Sequence, residues 1–96
     1  MVTLIATLKA KPGKESLLYE ECKRMEKLVK ENEPNCVLYV PHISAEDAAE
    51  VTFLEKYVDQ EAFDTHAASP YFQAFAAKFE ELLGAPLQLK FLKDLD

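Results

Sequence analysis

Hydrophobic and polar positions change period several times along the chain, and each change marks an element. Residues 2 to 10 are apolar or β-branched on both parities, with Val2, Leu4, Ala6 and Leu8 set against Thr3, Ile5 and Thr7, the pattern of a strand covered on both faces. Lys11-Pro12-Gly13-Lys14 is a turn by composition. From Glu15 the spacing becomes Leu18, Cys22, Met25 and Val29, an i, i+4, i+7, i+11 stripe that predicts an amphipathic helix. Acidic side chains lie toward its start and Lys27 and Lys30 toward its end, as the helix dipole favours.

Glu31-Asn32-Glu33-Pro34-Asn35 ends that helix, because proline lacks a donor and disfavours helical geometry in the residue before it. Two strands are predicted next, Cys36 to Ile43 and Val51 to Val58, joined by the polar stretch from Ser44 to Glu50. Pro41 marks the first of them as an edge strand or one whose far end leaves the ladder. In the second, Phe53, Glu55 and Tyr57 share one face and Thr52, Leu54 and Lys56 the other. Asp59 is the expected N-cap of a short helix reaching about Ala68. Ser69-Pro70 opens another, in which Phe72, Phe75, Ala76, Phe79, Leu82 and Leu83 keep helical spacing up to the stop at Gly84 and Pro86. Leu87, Leu89 and Phe91 alternate with Gln88 and Lys90 in a fourth strand.

The predicted order is β-α-β-β-α-β over residues 1 to 96, a single α+β domain of ferredoxin-like type with a four-stranded antiparallel sheet. Its helices cover only one side of the sheet. Apolar and β-branched residues on both parities therefore call for a cover on the other side, and a second copy of the chain is the simplest one, so a homodimer through facing sheets is expected. Chain length points the same way, because 96 residues bury only about 60–65% of the unfolded surface and leave little stability to spare.

Charge and motif content narrow the function. Seventeen acidic against 11 basic side chains give a net charge of −6 with no basic cluster, which argues against nucleic-acid or anionic-membrane partners. The first residues carry no basic leader or membrane-length apolar run, and a cytoplasmic location is expected. Cys22 and Cys36 read as small buried thiols. His42 reads as solvent-facing or at the dimer seam. With two histidines and no supporting spacing, no metal site is expected, and two glycines leave no phosphate cradle. Chemistry concentrates in residues 55 to 75, where His66 falls on the apolar side of its helix with Ala62, Phe63 and Ala67. Directed at the face bearing Phe53, Glu55 and Tyr57, it would form a proton-transfer pair with Glu55 in an apolar layer. The same residues also fit a satisfied core histidine, a packed tyrosine and a glutamate paired at a helix end. The aromatic set is core, or the lining of a cleft for a flat ligand.

Lys11-Pro-Gly-Lys14, Asn35-Cys36-x-x-Tyr39 and Glu55-x-Tyr57-x-Asp59-x-x-Ala-Phe-x-x-His66-x-x-Ser69-Pro70-x-Phe72-x-x-Phe75 together resemble the antibiotic biosynthesis monooxygenase domain family across essentially the whole chain. The resemblance implies a dimeric α+β barrel with a cavity between helices and sheet in each protomer, and oxygenation of a small aromatic or quinol substrate by O2 without metal, flavin or other cofactor. It makes His66, Glu55 and Tyr57 the expected catalytic set and Phe53, Phe63, Phe72, Phe75 and Tyr39 the expected substrate contacts. Tyr57 stands where the family usually has tryptophan, Asn35 where it usually has glycine, and Ala6 where haem-degrading members carry asparagine, which counts against haem. An isomerase or other proton-transfer enzyme acting on a small metabolite, and a non-catalytic dimer that binds an aromatic molecule, remain the alternatives from other classes.

Overall fold

A computed structural model describes all 96 residues. Eight elements follow one another: β1 (Val2–Lys9), α1 (Glu15–Asn32), β2 (Cys36–Ile43), β3 (Glu50–Tyr57), α2 (Gln60–Ala68), α3 (Pro70–Ala76), α4 (Phe79–Leu82) and β4 (Gln88–Leu92). The strands form one antiparallel sheet in the order β2-β3-β1-β4, the ferredoxin-like arrangement expected. Pro41 sits on edge strand β2, where a missing donor breaks no ladder bond to a further strand, and the strand stays paired through Ile43.

Local chemistry explains the boundaries. In the turn after β1 the Lys14 N–H donates to the Lys11 carbonyl at 2.9 Å, with Pro12 and Gly13 at the central positions. Gly13 has φ +85°, so the type II geometry that follows proline requires its missing Cβ. Helix α1 buries Leu18, Cys22, Met25 and Val29. Each such side chain contributes roughly 1.5–3 kcal/mol when fully withdrawn from water. Asp59 Oδ1 accepts from the Ala62 N–H at 2.8 Å and starts α2. Ser69 Oγ accepts from the Phe72 N–H at 3.2 Å and starts α3.

The last helix departs from the expected one. It splits at Ala77 and Lys78 into α3 and α4, and Leu83 is extended. Backbone pairing draws the chain away from helical geometry there: Lys11 N–H donates to the Leu82 carbonyl at 2.8 Å, Gly84 N–H donates to the Lys9 carbonyl at 2.9 Å, and Ala10 bridges Leu83. The end of β1 thus anchors the α4 exit.

The two faces of the sheet differ. Leu4, Ala6 and Leu8 of β1 and Val51, Phe53, Glu55 and Tyr57 of β3 are buried beneath the helices. On the opposite face Ile5 pairs with Leu54, which pairs in turn with Val40, and Leu38 and Leu92 lie nearby. Leu54 is 39% and Leu92 40% exposed, so this apolar face has no cover within one chain. His42, opposite Thr52 on that face, is exposed. No helix is long and apolar enough to cross a membrane.

Candidate active site

Strand register sets the site. Glu55 pairs with Leu4 of β1 on one side and Tyr39 of β2 on the other, so its side chain rises from the middle of the sheet between an aliphatic and an aromatic neighbour. Tyr57, two residues along the same face, donates its hydroxyl to Glu55 Oε1 at 2.6 Å. Burial raises the Glu55 pKa, the negative charge of Glu33 adds to the rise, and the tyrosine hydrogen bond and the nearby His66 oppose it.

Helix α2 delivers His66 from above. Ser69 fixes the end of this helix twice, donating from its hydroxyl to the His66 carbonyl at 2.7 Å and from its N–H to the same oxygen at 3.1 Å. The imidazole is 3% exposed and lies among the rings of Tyr39, Phe72 and Tyr57, with centroid separations of 5.1, 5.2 and 5.5 Å. Its Nδ1 is 3.0 Å from Glu33 Oε2, and Tyr71 of α3 donates its hydroxyl to the same oxygen. Side-chain exposures of 4% for His66 and 7% for Glu33 make this a buried pair. A carboxylate on Nδ1 favours the tautomer that carries its proton there and leaves Nε2 as the basic nitrogen.

Beneath α2, α3 and α4 lies a cavity of about 320 Å³. Twelve of its fourteen lining residues are hydrophobic; the two others are Glu55 and His66. Glu33 Oε1 is the sealed side-chain oxygen that lacks a partner. His66 Nε2 and Glu55 Oε2 also have no protein partner, yet they are not sealed, and both residues border the cavity. The side-chain polar atoms without a protein partner on residues lining this space are therefore a ring nitrogen, a carboxyl oxygen and the Tyr39 hydroxyl. Leu89 lines the cavity while 46% exposed, and Phe91, 55% exposed, packs edge-on to Phe63 at 5.5 Å, so β4 forms its rim.

All five expected substrate contacts, Phe53, Phe63, Phe72, Phe75 and Tyr39, line the cavity, as do His66 and Glu55. Tyr57 does not. It is fully buried and its hydroxyl is held by Glu55, so a direct hydrogen bond from Tyr57 to a bound molecule does not fit this geometry. Nor does Glu55 hold the imidazole, because His66 Nδ1 is taken by Glu33. Glu33 and Tyr71 were not legible as site residues. Glu33 sits in a helix-breaking segment, Tyr71 in an aromatic run, and they lie 33 and 38 positions from their partners; a glutamate before proline gives no sign of where the loop will carry it.

No group of three or more His, Cys, Asp or Glu side chains converges to hold a metal ion. Burial pushes the Cys22 thiol up to about 12 and the Cys36 thiol up to about 11, which keeps both protonated and weakly nucleophilic at neutral pH.

A helix-covered antiparallel sheet holding one apolar chamber, with an imidazole and a carboxyl at its wall, defines a ferredoxin-like α+β protein with an internal cavity. The chain matches the antibiotic biosynthesis monooxygenase family over residues 1–78 and belongs to it. It is 33% identical over 89 residues to a Bacillus subtilis protein named "Putative monooxygenase YcnE", covering 93% of each chain. Among solved structures it is similar to Rv0793 from Mycobacterium tuberculosis, with a TM-score of 0.90, 29% identity and coverage of 99% of this chain and 95% of that one. PA3566 from Pseudomonas aeruginosa gives a TM-score of 0.91 at 27% identity, covering 99% and 94%.

Proposed function

We propose that this protein is a cofactor-independent monooxygenase that oxidises a small phenolic or quinol-type molecule with O2. The observation that carries the reading is the caged imidazole whose free Nε2 borders a largely apolar cavity that Glu55 also lines. In such a space a phenolate is costly unless its proton has a receiver and its charge a donor. His66 Nε2 takes the hydroxyl proton. Glu55, whose raised pKa increases its protonated fraction, donates to the anion's oxygen or to the oxygen adduct formed when the electron-rich ring reacts with O2. Tyr57 acts through Glu55 as a positioning residue, and Phe53, Phe63, Phe72, Phe75 and Tyr39 hold the flat ring. No lysine or arginine lines the cavity, which disfavours the phosphorylated substrates an isomerase reading would need.

The test is oxygen uptake against a quinol panel, with anaerobic controls. Stoichiometric O2 consumption by the wild-type protein is expected, reduced about 100-fold or more in His66→Ala. Full turnover by His66→Ala would remove the assignment. Ligand binding without O2 uptake would point to a non-catalytic binder, and anaerobic turnover to an isomerase.

We also propose that the open sheet face pairs with a second copy of the chain. Its support is the apolar row of Ile5, Leu38, Val40, Leu54 and Leu92 on a face that the helices leave bare. Sedimentation at micromolar concentration should give a dimer for the wild type and a monomer for Leu54→Glu. A wild-type monomer would refute the pairing.

A further inference from the structure

A second cavity, of about 210 Å³, lies on the other side of the His66–Glu33 pair. Its character is opposite to that of the first. Glu33, Asn32, Asn35, Asp59, Glu61 and Thr65 contribute to its wall, and Asn35, Asp59, Glu61 and Thr65 are exposed, so this chamber is polar and continuous with bulk solvent. His66 borders only the apolar cavity and Glu33 only the polar one. The hydrogen bond between them, 3.0 Å long, joins the two spaces.

Glu33 is an unusual carboxylate. Oε2 accepts from both His66 and Tyr71, while Oε1 is sealed and has no donor. The lone pairs of that unpaired oxygen give a proton somewhere to go. The groups facing the imidazole or its partner are Glu33 from the loop after α1, Tyr71 from α3, Tyr39 from β2, and Glu55 and Tyr57 from β3, with Cys36 beside Glu33. None of them is a lysine or arginine. A proton arriving at the ring has one carboxylate in direct contact to share it with.

We propose that Glu33 is the proton relay of this site: uptake of a substrate proton at His66 Nε2 is matched by transfer of the Nδ1 proton to Glu33, whose sealed carboxyl then turns toward the polar chamber that its residue borders and releases the proton to water there. The inference rests on the monooxygenase reading above. In the forward step the substrate O–H bond breaks and Nε2–H forms, then Nδ1–H breaks and a Glu33 O–H forms and is lost to solvent. The ring resets when the Nε2 proton passes to the reduced oxygen and one proton returns through Glu33 to Nδ1. Such a path lets the apolar cavity stay closed to water while charge leaves by the back wall. Tyr71 positions Glu33.

Two measurements test this. Two-bond ¹H–¹⁵N correlation of the His66 ring, which needs no substrate, should show the neutral ring protonated at Nδ1 in the wild type. Glu33→Gln, whose amide can donate to Nδ1, should shift it toward the Nε2-protonated form. A wild-type ring protonated at Nε2 overturns the proposal. On a quinol that the wild type oxidises, Glu33→Ala should lower kcat about 100-fold with KM changed little, and acetate or imidazole added to the buffer should restore most of the loss by carrying protons through the polar chamber. A merely structural Glu33 would give a loss that buffer does not restore, and that result also overturns the relay. Should Glu33→Ala fail to fold, Glu33→Gln is expected to show the same kcat loss. Full activity in either Glu33 variant with His66→Ala inactive would sink the relay and leave the monooxygenase reading standing; full activity in His66→Ala would sink both.

Discussion

One half of the helical layer closes on a continuous core, with open space at its outer edge beside β2, and the other roofs an apolar chamber, although both rest on the same sheet. An 18-residue helix, α1, covers the first half and buries an uninterrupted stripe, and none of its residues lines the 320 Å³ cavity. Over the second half the chain is divided into α2, α3 and α4, of 9, 7 and 4 residues. Capping by Asp59 and Ser69 and the pairing of Leu83 with Ala10 fix those pieces at angles that leave space beneath. Phe72, Phe75 and Phe79 meet edge to face at centroid distances of 6.3 and 4.8 Å, a geometry that braces an arch without filling it. One regular helix makes a core, whereas several capped short ones make a room.

The largest expected effect breaks the packed half. Leu18→Ala should destabilise the fold by about 2–5 kcal/mol in denaturant unfolding, because the neighbours of a fully buried leucine collapse only partly into the space left. Adding volume sharpens the contrast. Val29→Phe in the packed half should cost about 1–3 kcal/mol. Ala6→Leu, which points into the hollow, should be neutral or stabilising by up to about 1 kcal/mol, while abolishing binding of an aromatic ligand followed by calorimetry. A large destabilisation by Ala6→Leu would mean that the chamber is not a real space. Ser69→Ala removes the α3 cap and the clamp on the His66 carbonyl and should cost about 1 kcal/mol by thermal unfolding, with His66 ring resonances broadened.

The smallest effect is a pH dependence. Folding raises the Glu55 pKa above its ordinary 4.5, so the native state binds this proton more tightly than the unfolded chain. The resulting contribution is complete below that value and is lost as pH rises through the folded pKa. Glu55→Gln removes it. Stability of the variant relative to wild type should therefore increase as pH rises above about 4.5 and then level off, measured by urea unfolding across pH 4 to 9. A flat difference would place the carboxyl in contact with solvent.

Patterning along the chain was enough to place Leu18, Cys22, Met25 and Val29 in the core, Phe53, Glu55 and Tyr57 on one face of β3, and the caps at Asp59 and Ser69. Helical and strand periods and side-chain capping are local, set by a few successive residues, so they can be read in order. They also put His66 on the buried side of its helix. By itself the sequence thereby determined the order of strands and helical segments, the ferredoxin-like sheet and half of the cavity wall. Only the tertiary structure decided that the imidazole pairs with Glu33 and not Glu55, that Tyr57 is held behind the carboxyl, and that α3 stops short of Leu83. Those outcomes depend on where separate segments meet in space, and a hydrogen bond between residues 33 positions apart leaves no period in the chain to announce it.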